Sequence, residues 1–298
     1  MKFLKFDEFL GESALNLFEN SEVINEAGLT EDIDKKIKFG IIMATHPVAD
    51  DGGRRAGRLA YKSQESVFRD TIKSIKNQSH KNWKLFICGD YFEDESFILD
   101  ILNDLLDKSQ YEWFNLPTPG ERENKKITDN GYMHKLGGTT AWNKSYAMIR
   151  KDKSCNYAIK MGHDDVWRDD HLETHAKAYT QYPEAKVAWT RVTKKRFKDM
   201  NKGLMKWPTK EVSTIDYDNL EFREGNTLDV YSFDIKSFPS IKWRALDQLT
   251  TAPRRKEIVY NDIDMYNQIN QMLKDNEWKS IYVPKPTYKY RNKKGQLP

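Results

Sequence analysis

Two adjacent acids, Asp164-Asp165, stand two residues after the segment Tyr157–Met161, which reads as a buried strand. At the carboxyl end of a buried strand, such a pair suits a hard divalent cation, Mg2+ or Mn2+, that also holds phosphate oxygens. A cation placed there can neutralise a departing diphosphate. The same acids would also serve a turn or a helix cap, where Asp is common. A second pair, Asp262 and Asp264, opens a stretch of helical periodicity, Tyr260–Lys274. One of these carboxylates could take the proton of a hydroxyl as a general base. Equally, acids at that place could do no more than favour a helix start. Of the histidines, His163 abuts the first acid pair and His46 ends another apolar run; His171 and His175 are one helical turn apart and fit surface or core positions. No HExxH or related spacing links them. Gly137-Gly138 precedes a helical stretch, Ala141–Arg150, but lacks the GxGxxG and GxxxxGK[ST] patterns of phosphate loops.

The elements that must position these groups are legible from periodicity. Phe39–Ala44 and Lys84–Cys88 are short apolar runs that read as buried strands, ending at Thr45-His46 and Gly89-Asp90. Ser63–Lys76 and Phe97–Leu106 carry apolar residues at helical spacing, and Asp170–Tyr182 does so after the acid pair. Val187–Val192 and Asp229–Asp234 read as further strands, and Ile281–Arg291 as an extended aromatic segment. Strand, crossover helix, strand, helix predicts an α/β fold with a mostly parallel, Rossmann-like sheet flanked by helices. In such sheets ligands bind beyond the carboxyl ends of the strands, where Thr45, His46 and Asp90 stand.

Composition bounds the function classes. The 298 residues are 38% apolar, 12% aromatic and 32% charged. That is enough apolar material for a core and excludes global disorder. The longest apolar run is far short of the roughly 20 residues that span a bilayer. No secretory signal pattern opens the chain. Two scattered cysteines, Cys88 and Cys155, fit neither a disulfide scaffold nor a Cys zinc site. A reducing, cytoplasmic setting is the expectation. Charge is uneven. Residues 1–34 hold two lysines and nine acids, a net of −7; the chain totals +4, so the rest carries +11. Its bases cluster at 54–58, 194–198, 254–256 and 291–294. Such a body should attract a polyanion, with double-stranded DNA the natural candidate, although each cluster alone could be a solvated loop. The clusters show no helix-turn-helix or zinc-finger pattern. Residues 1–34 read as an amphipathic helical extension that either docks elsewhere or packs on the body. Residues 35–298 follow as one domain, with a nucleotide-binding half at 35–165 and an acceptor half at 166–298.

Taken together, the segments resemble family-2 glycosyltransferases with the GT-A fold. KFGIIMATHP (Lys38–Pro47) resembles the opening strand of that family, and IKSIKNQSHKNWKLFICGD (Ile72–Asp90) resembles its S-I-x-x-Q block. Residues Gly137–Asp165 resemble the G-x-x-x-a-r-N helix and the metal-binding strand end. YNDIDMY (Tyr260–Tyr266) resembles x-E-D-x-D-l, and YVPKPTYKYR (Tyr282–Arg291) the closing p-L-x-x-Y-R. The resemblance implies that Thr45, His46, Asp90, Gly137 and Gly138 line the site of a nucleotide sugar, most readily UDP-linked. It implies that Asp164 lies near the ribose, that Asp165 ligates Mn2+ or Mg2+, and that Asp262 activates the acceptor hydroxyl in an inverting displacement. Two positions depart from the pattern: Gly162 stands where an acid is usual, and Trp142 where an Arg is usual.

The strongly basic body and an opening decapeptide similar to those of T-even phage proteins point to an acceptor. A hydroxylated cytosine in phage DNA would receive the sugar, arabinose or glucose being the candidates, in the cytoplasm of the host. A surface polysaccharide or a protein as acceptor, or a non-catalytic nucleotide- or DNA-binding module, are the rival readings.

Overall fold

The computed structural model describes residues 21–24, 26–47, 64–121, 137–193, 231–244 and 261–289. The helical periodicity of residues 6–18, all four basic clusters and most of the glycine-containing stretch before Gly137 lie outside the described residues.

The predicted α/β architecture is present. The strands are β1 (Ser21–Val23), β2 (Phe39–Thr45), β3 (Trp83–Gly89), β4 (Tyr111–Asn115), β5 (Tyr157–Lys160), β6 (Val166–Trp167), β7 (Val187–Thr193), β8 (Tyr231–Asp234) and β9 (Ser280–Lys289). The helices are α1 (Gln64–Lys76), α2 (Ser96–Leu105), α3 (Thr139–Asp152), α4 (His171–Gln181) and α5 (Asn261–Asp275). All described strands share one sheet, ordered β1-β9-β7-β8-β5-β2-β3-β4, with β6 pairing beside β9. Only β8 runs against its neighbours along that path, pairing antiparallel to both β5 and β7. No helix among the described residues is long and apolar enough to cross a membrane.

The central strands form where they do because they are apolar on both faces. Every residue of Phe39–Thr45 is buried, as a strand covered on both sides requires. Helix α3 lies on β2, tied by the Ser145 hydroxyl to the Met43 carbonyl at 2.8 Å, and Ile149 fills the space that Gly40 leaves over the strand. Gly40 therefore has a packing reason: a Cβ there would come within 2.8 Å of Ile149. Residues 21–36 join the same body. Strand β1 extends the sheet along β9, and the amides of Thr30 and Asp34 bond to Gln181 and Thr180 of α4.

The strand order places a switch point between β2 and β5. From β2 the chain moves outward through β3 to β4, then returns across β2 to β5. The carboxyl ends of these two central strands are thus the place where open α/β sheets bind ligands.

Candidate active site

The loop after β5, Met161–Asp170, carries the first acid pair and is fastened from three sides. The Met161 amide continues onto the Ile42 carbonyl of β2 at 2.9 Å. From α1, the buried Thr71 hydroxyl donates its one proton to the Asp165 carbonyl at 2.7 Å, the shortest of three carbonyls within reach, those of His163 and Val67 lying at 3.1 and 3.2 Å. One turn on, the Ser74 hydroxyl accepts the Trp167 amide, and the Gln78 amide donates to the Arg168 carbonyl at 2.7 Å. Thr71 and Ser74 of α1 and Gln78 just beyond its end recur at helical spacing, so all three reach this loop, and Gln78 also accepts the Leu172 amide of α4 at 2.9 Å. From β9, the Thr287 carbonyl accepts the Arg168 amide at 2.8 Å. Tyr288, next along β9 and so facing the other way, donates its phenol proton to Asp165 Oδ2. Asp165 is 4% exposed and Tyr288 fully buried.

The residues singled out in sequence at the ends of β2 and β3 gather on the other side of the switch point. The Asp90 amide bonds the Thr45 carbonyl at 2.8 Å. Thr45 is buried, and its hydroxyl has no hydrogen-bond partner among the described residues. His163 bridges the two sides: its Nδ1 lies 3.2 Å from the Ala44 carbonyl and must donate to it, and its ring meets that of His46 edge to face at 4.8 Å. Thr45, His46, Asp90, Asp164 and Asp165 therefore lie on loops or strand ends on one side of the sheet.

Asp90 and the start of α3 are joined by a residue that sequence reading did not single out. Asp90 Oδ1 accepts the Gly120 amide at 2.8 Å, and a Cβ on Gly120 would meet that oxygen at 3.1 Å. The next residue, Glu121, is buried and accepts both the Thr140 amide at 3.0 Å and the Thr140 hydroxyl at 2.6 Å. It thus does from a distance what a helix cap does locally, because the capping position itself is Gly138 and has no side chain. Gly138 adopts φ +81°, which an L residue resists. The Gly137-Gly138 turn, read in sequence as a weak phosphate loop, thus starts a helix whose first-turn amide at Thr140 is already held by a carboxylate of the protein. Burial pushes the Asp90 carboxyl above its ordinary value; the Gly120 amide opposes this and the charge of Glu121 adds to it.

Helix α5 is tied to the same region through residues 241–244. Asn143 of α3 clamps the backbone of Trp243 at both ends, donating to its carbonyl at 2.6 Å and accepting its amide at 2.9 Å. Trp142, at the position where an Arg was expected, stacks on Trp243 with ring centroids 5.8 Å apart, and the Lys160 ammonium at the end of β5 sits 4.5 Å from its ring. The aromatic face thereby supplies a partner for a buried cation. Asp264 of α5 is buried against Arg244 at 3.3 Å and Gln268 at 2.9 Å. Burial raises its pKa while Arg244 and Gln268 hold it down. Of the two acids opening α5, Asp264 is therefore a structural ion-pair residue. Asp262 is the second residue of α5.

His171 and His175 lie in the core. His171 Nδ1 is 2.6 Å from the Thr287 hydroxyl and His175 Nδ1 is 2.7 Å from the Ser232 hydroxyl. The free cysteines are buried, with the Cys88 thiol pushed up to about 12, first of all by burial. Neither is a nucleophile at neutral pH.

The donor set at the loop after β5 can be matched to a metal. Among the described residues no group of three His, Cys, Asp or Glu side chains surrounds one point. One or two carboxylates suit Mg2+ or Mn2+, which are commonly completed by substrate phosphates and water. They do not suit a structural zinc ion, which takes four protein ligands.

No family model matches the chain. It is 28% identical over 159 residues to the uncharacterized glycosyltransferase R139 of Acanthamoeba polyphaga mimivirus, across 53% of this chain and 57% of that protein. The chain thus matches a little over half the length of this relative. Among solved structures it is similar to S. aureus TarS 1-349, with 13% identity and a TM-score of 0.49 over 85% of this chain and 60% of that one. The same S. aureus protein in complex with UDP-GlcNAc gives a TM-score of 0.48 at 13% identity, over 85% of this chain and 58% of the other. Mannosyltransferase PcManGT from Pyrobaculum calidifontis, in complex with GDP-Man and Mn2+, gives 0.47 at 12% identity, over 94% of this chain and 62% of that one.

Proposed function

We propose that this protein is a glycosyltransferase of the GT-A type, moving a sugar from a nucleoside diphosphate to a hydroxyl group. The observation that carries the reading is the position of Asp164-Asp165 on a rigidly fastened loop at the switch point, on the same side of the sheet as Thr45 and Asp90. The name of the mimiviral relative supports the same reaction class.

In this reading the unpartnered Thr45 hydroxyl, His46 and the Asp90 carboxyl receive the nucleoside of a UDP-linked donor, and Asp164 meets its ribose. Gly137 and Gly138 shape the wall beside them. Asp165 would hold Mn2+ or Mg2+, which when bound would neutralise charge on the diphosphate. An acceptor hydroxyl oxygen attacks the anomeric carbon, the bond from that carbon to the diphosphate oxygen breaks, and Asp262 takes the hydroxyl proton, so the anomeric centre inverts. The protein's part is orientation of the two substrates and one proton transfer.

The formal +11 outside residues 1–34 supports a polyanionic acceptor, and we propose a hydroxylated cytosine in double-stranded DNA, flipped from the stack to reach Asp262. Arabinose and glucose are the candidate sugars. A thermal-shift screen of nucleotide sugars with and without Mn2+ tests the donor. A donor at 100 times its Kd adds about 2.7 kcal/mol. Stabilisation by one UDP-sugar that depends on Mn2+ is the expected result, and a protein that no nucleotide sugar stabilises overturns the transferase reading. The acceptor is tested by salt: DNA affinity should fall by orders of magnitude between 50 and 200 mM salt for a multi-phosphate contact. A flat salt response, with sugar transferred instead to a neutral glycan or a protein, overturns the DNA acceptor alone.

A further inference from the structure

We infer that Tyr288 is the positioning residue of the metal site and that Gly162 is the vacancy which lets it act; this rests on the reading of Asp165 as a metal ligand. Three observations meet here. The Tyr288 phenol is fully buried and donates to Asp165 Oδ2 across 123 residues of chain. A Cβ on Gly162 would lie 3.0 Å from that same oxygen, 3.4 Å from the Tyr288 hydroxyl and 3.6 Å from Asp164 Oδ1. The main chain of the loop is separately fixed by Thr71, whose hydroxyl donates to the Asp165 carbonyl at 2.7 Å.

These facts divide the labour. Thr71 sets where the backbone of Asp165 runs, but a carboxylate still rotates about two side-chain bonds. The phenol removes that freedom by occupying one lone pair of Oδ2. A carboxylate has about four acceptor positions on two oxygens, so the hydrogen bond orients the group without exhausting it. Partners of this kind, one step behind the ligand, are what orient metal-binding carboxylates. Gly162 then has a steric reason. The volume that any side chain would claim at 162 is held by the Asp165 carboxylate and the tyrosine hydroxyl. Where the resemblance has an acid, this chain leaves room for a tyrosine hydroxyl from β9. This also couples the last described strand to the loop after β5, so the two halves of the sheet are joined at the metal site.

The test is Mn2+ binding in the presence of UDP, followed by loss of the free-ion EPR signal, on the full chain. Wild type, Tyr288→Phe, Asp165→Asn and Gly162→Ala are compared, with thermal melts of each. Tyr288→Phe keeps the buried ring and removes only the hydroxyl. It should weaken Mn2+ roughly 10-fold or more, the usual effect of losing such a partner, while metal-free UDP affinity stays as in wild type. Gly162→Ala should weaken Mn2+ likewise, and keeps the test open if Tyr288→Phe melts early. Asp165→Asn should abolish Mn2+ binding. If Asp165→Asn abolishes binding while Tyr288→Phe and Gly162→Ala bind Mn2+ as wild type does, the inference is overturned and the metal site stands. If Asp165→Asn binds Mn2+ normally, or wild type binds none, the metal reading falls and the inference falls with it.

Discussion

Replacing His175 by Gln should make the protein less sensitive to acid, by an amount that follows from its burial. His175 and His171 are both fully buried on α4, with rings 4.8 Å apart. Each shares one nitrogen with a hydroxyl, and neither Nε2 has a partner among the described residues. A proton added there would have no acceptor for its hydrogen bond and no carboxylate to balance its charge. Burial accordingly lowers the pKa of His175 from 6.5 to about 3, and that of His171 well below its ordinary value, with the neighbouring histidine adding to the latter. The unfolded chain has no such restriction and protonates each near 6.5. Stability is therefore intact above pH 6.5 and falls as pH drops below that value, by about 1.4 kcal/mol per unit for each histidine that stays neutral. At pH 5.0 this amounts to about 2 kcal/mol for His175. Glutamine can still bond the Ser232 hydroxyl but takes up no proton. Urea unfolding at pH 7.5 and pH 5.0 should show His175→Gln less stable at the higher pH, with the gap closing by about 2 kcal/mol at the lower one. The raised carboxyls of Asp90 and Asp264 titrate in both proteins and cancel in the comparison. A gap that stays constant between the two pH values would refute the buried, neutral histidine.

Other expectations follow from single contacts. Asp262→Asn should lower kcat by 100-fold or more, the scale of a lost general base, with donor Kd unchanged; wild-type turnover would remove Asp262 from that role. Glu121→Ala should cost about 1 kcal/mol in urea unfolding through the lost cap of α3, and should also weaken donor binding because Gly120 and Asp90 lose their neighbour. Gly138→Ala, forced to φ +81° and toward the Trp142 ring at 3.2 Å, should lower stability by about 1 kcal/mol or more, read as a fall in Tm.

The central strands and most helices were legible because their cause is local. Phe39–Thr45 is buried throughout and Trp83–Gly89 at every residue but Lys84, and their centres, Phe39–Ala44 and Leu85–Cys88, read as apolar runs. Strand β4 escaped notice: it lies at the sheet edge, four of its five residues are half-exposed, and its sequence YEWFN neither alternates cleanly nor forms an apolar run. The short β1 and β6 likewise owe their strand form to β9, which is distant in sequence. The candidate site was legible only as far as each residue sat at a strand end. Thr45, Asp90 and Asp165 announce themselves that way. Tyr288 and Glu121 do not, because what defines them is a partner 123 and 19 residues away. A hint lay in the spacing of Thr71, Ser74 and Gln78, polar residues in and just after the helix that share its buried side and a task at the loop after β5. Sequence could not show that Asp264 pairs with Arg244, twenty residues before it.

The central claim is that the carboxyl ends of β2, β3 and β5 form one donor site, with Asp165 on its metal and the start of α5 beside it. A crystal structure of the chain with UDP and Mn2+, using the anomalous signal of manganese, tests this directly. The account predicts a manganese peak in contact with Asp165, the nucleoside against Thr45 and Asp90, and the first turn of α5 bordering the diphosphate. A nucleotide bound elsewhere, or a manganese peak away from Asp165, would contradict it.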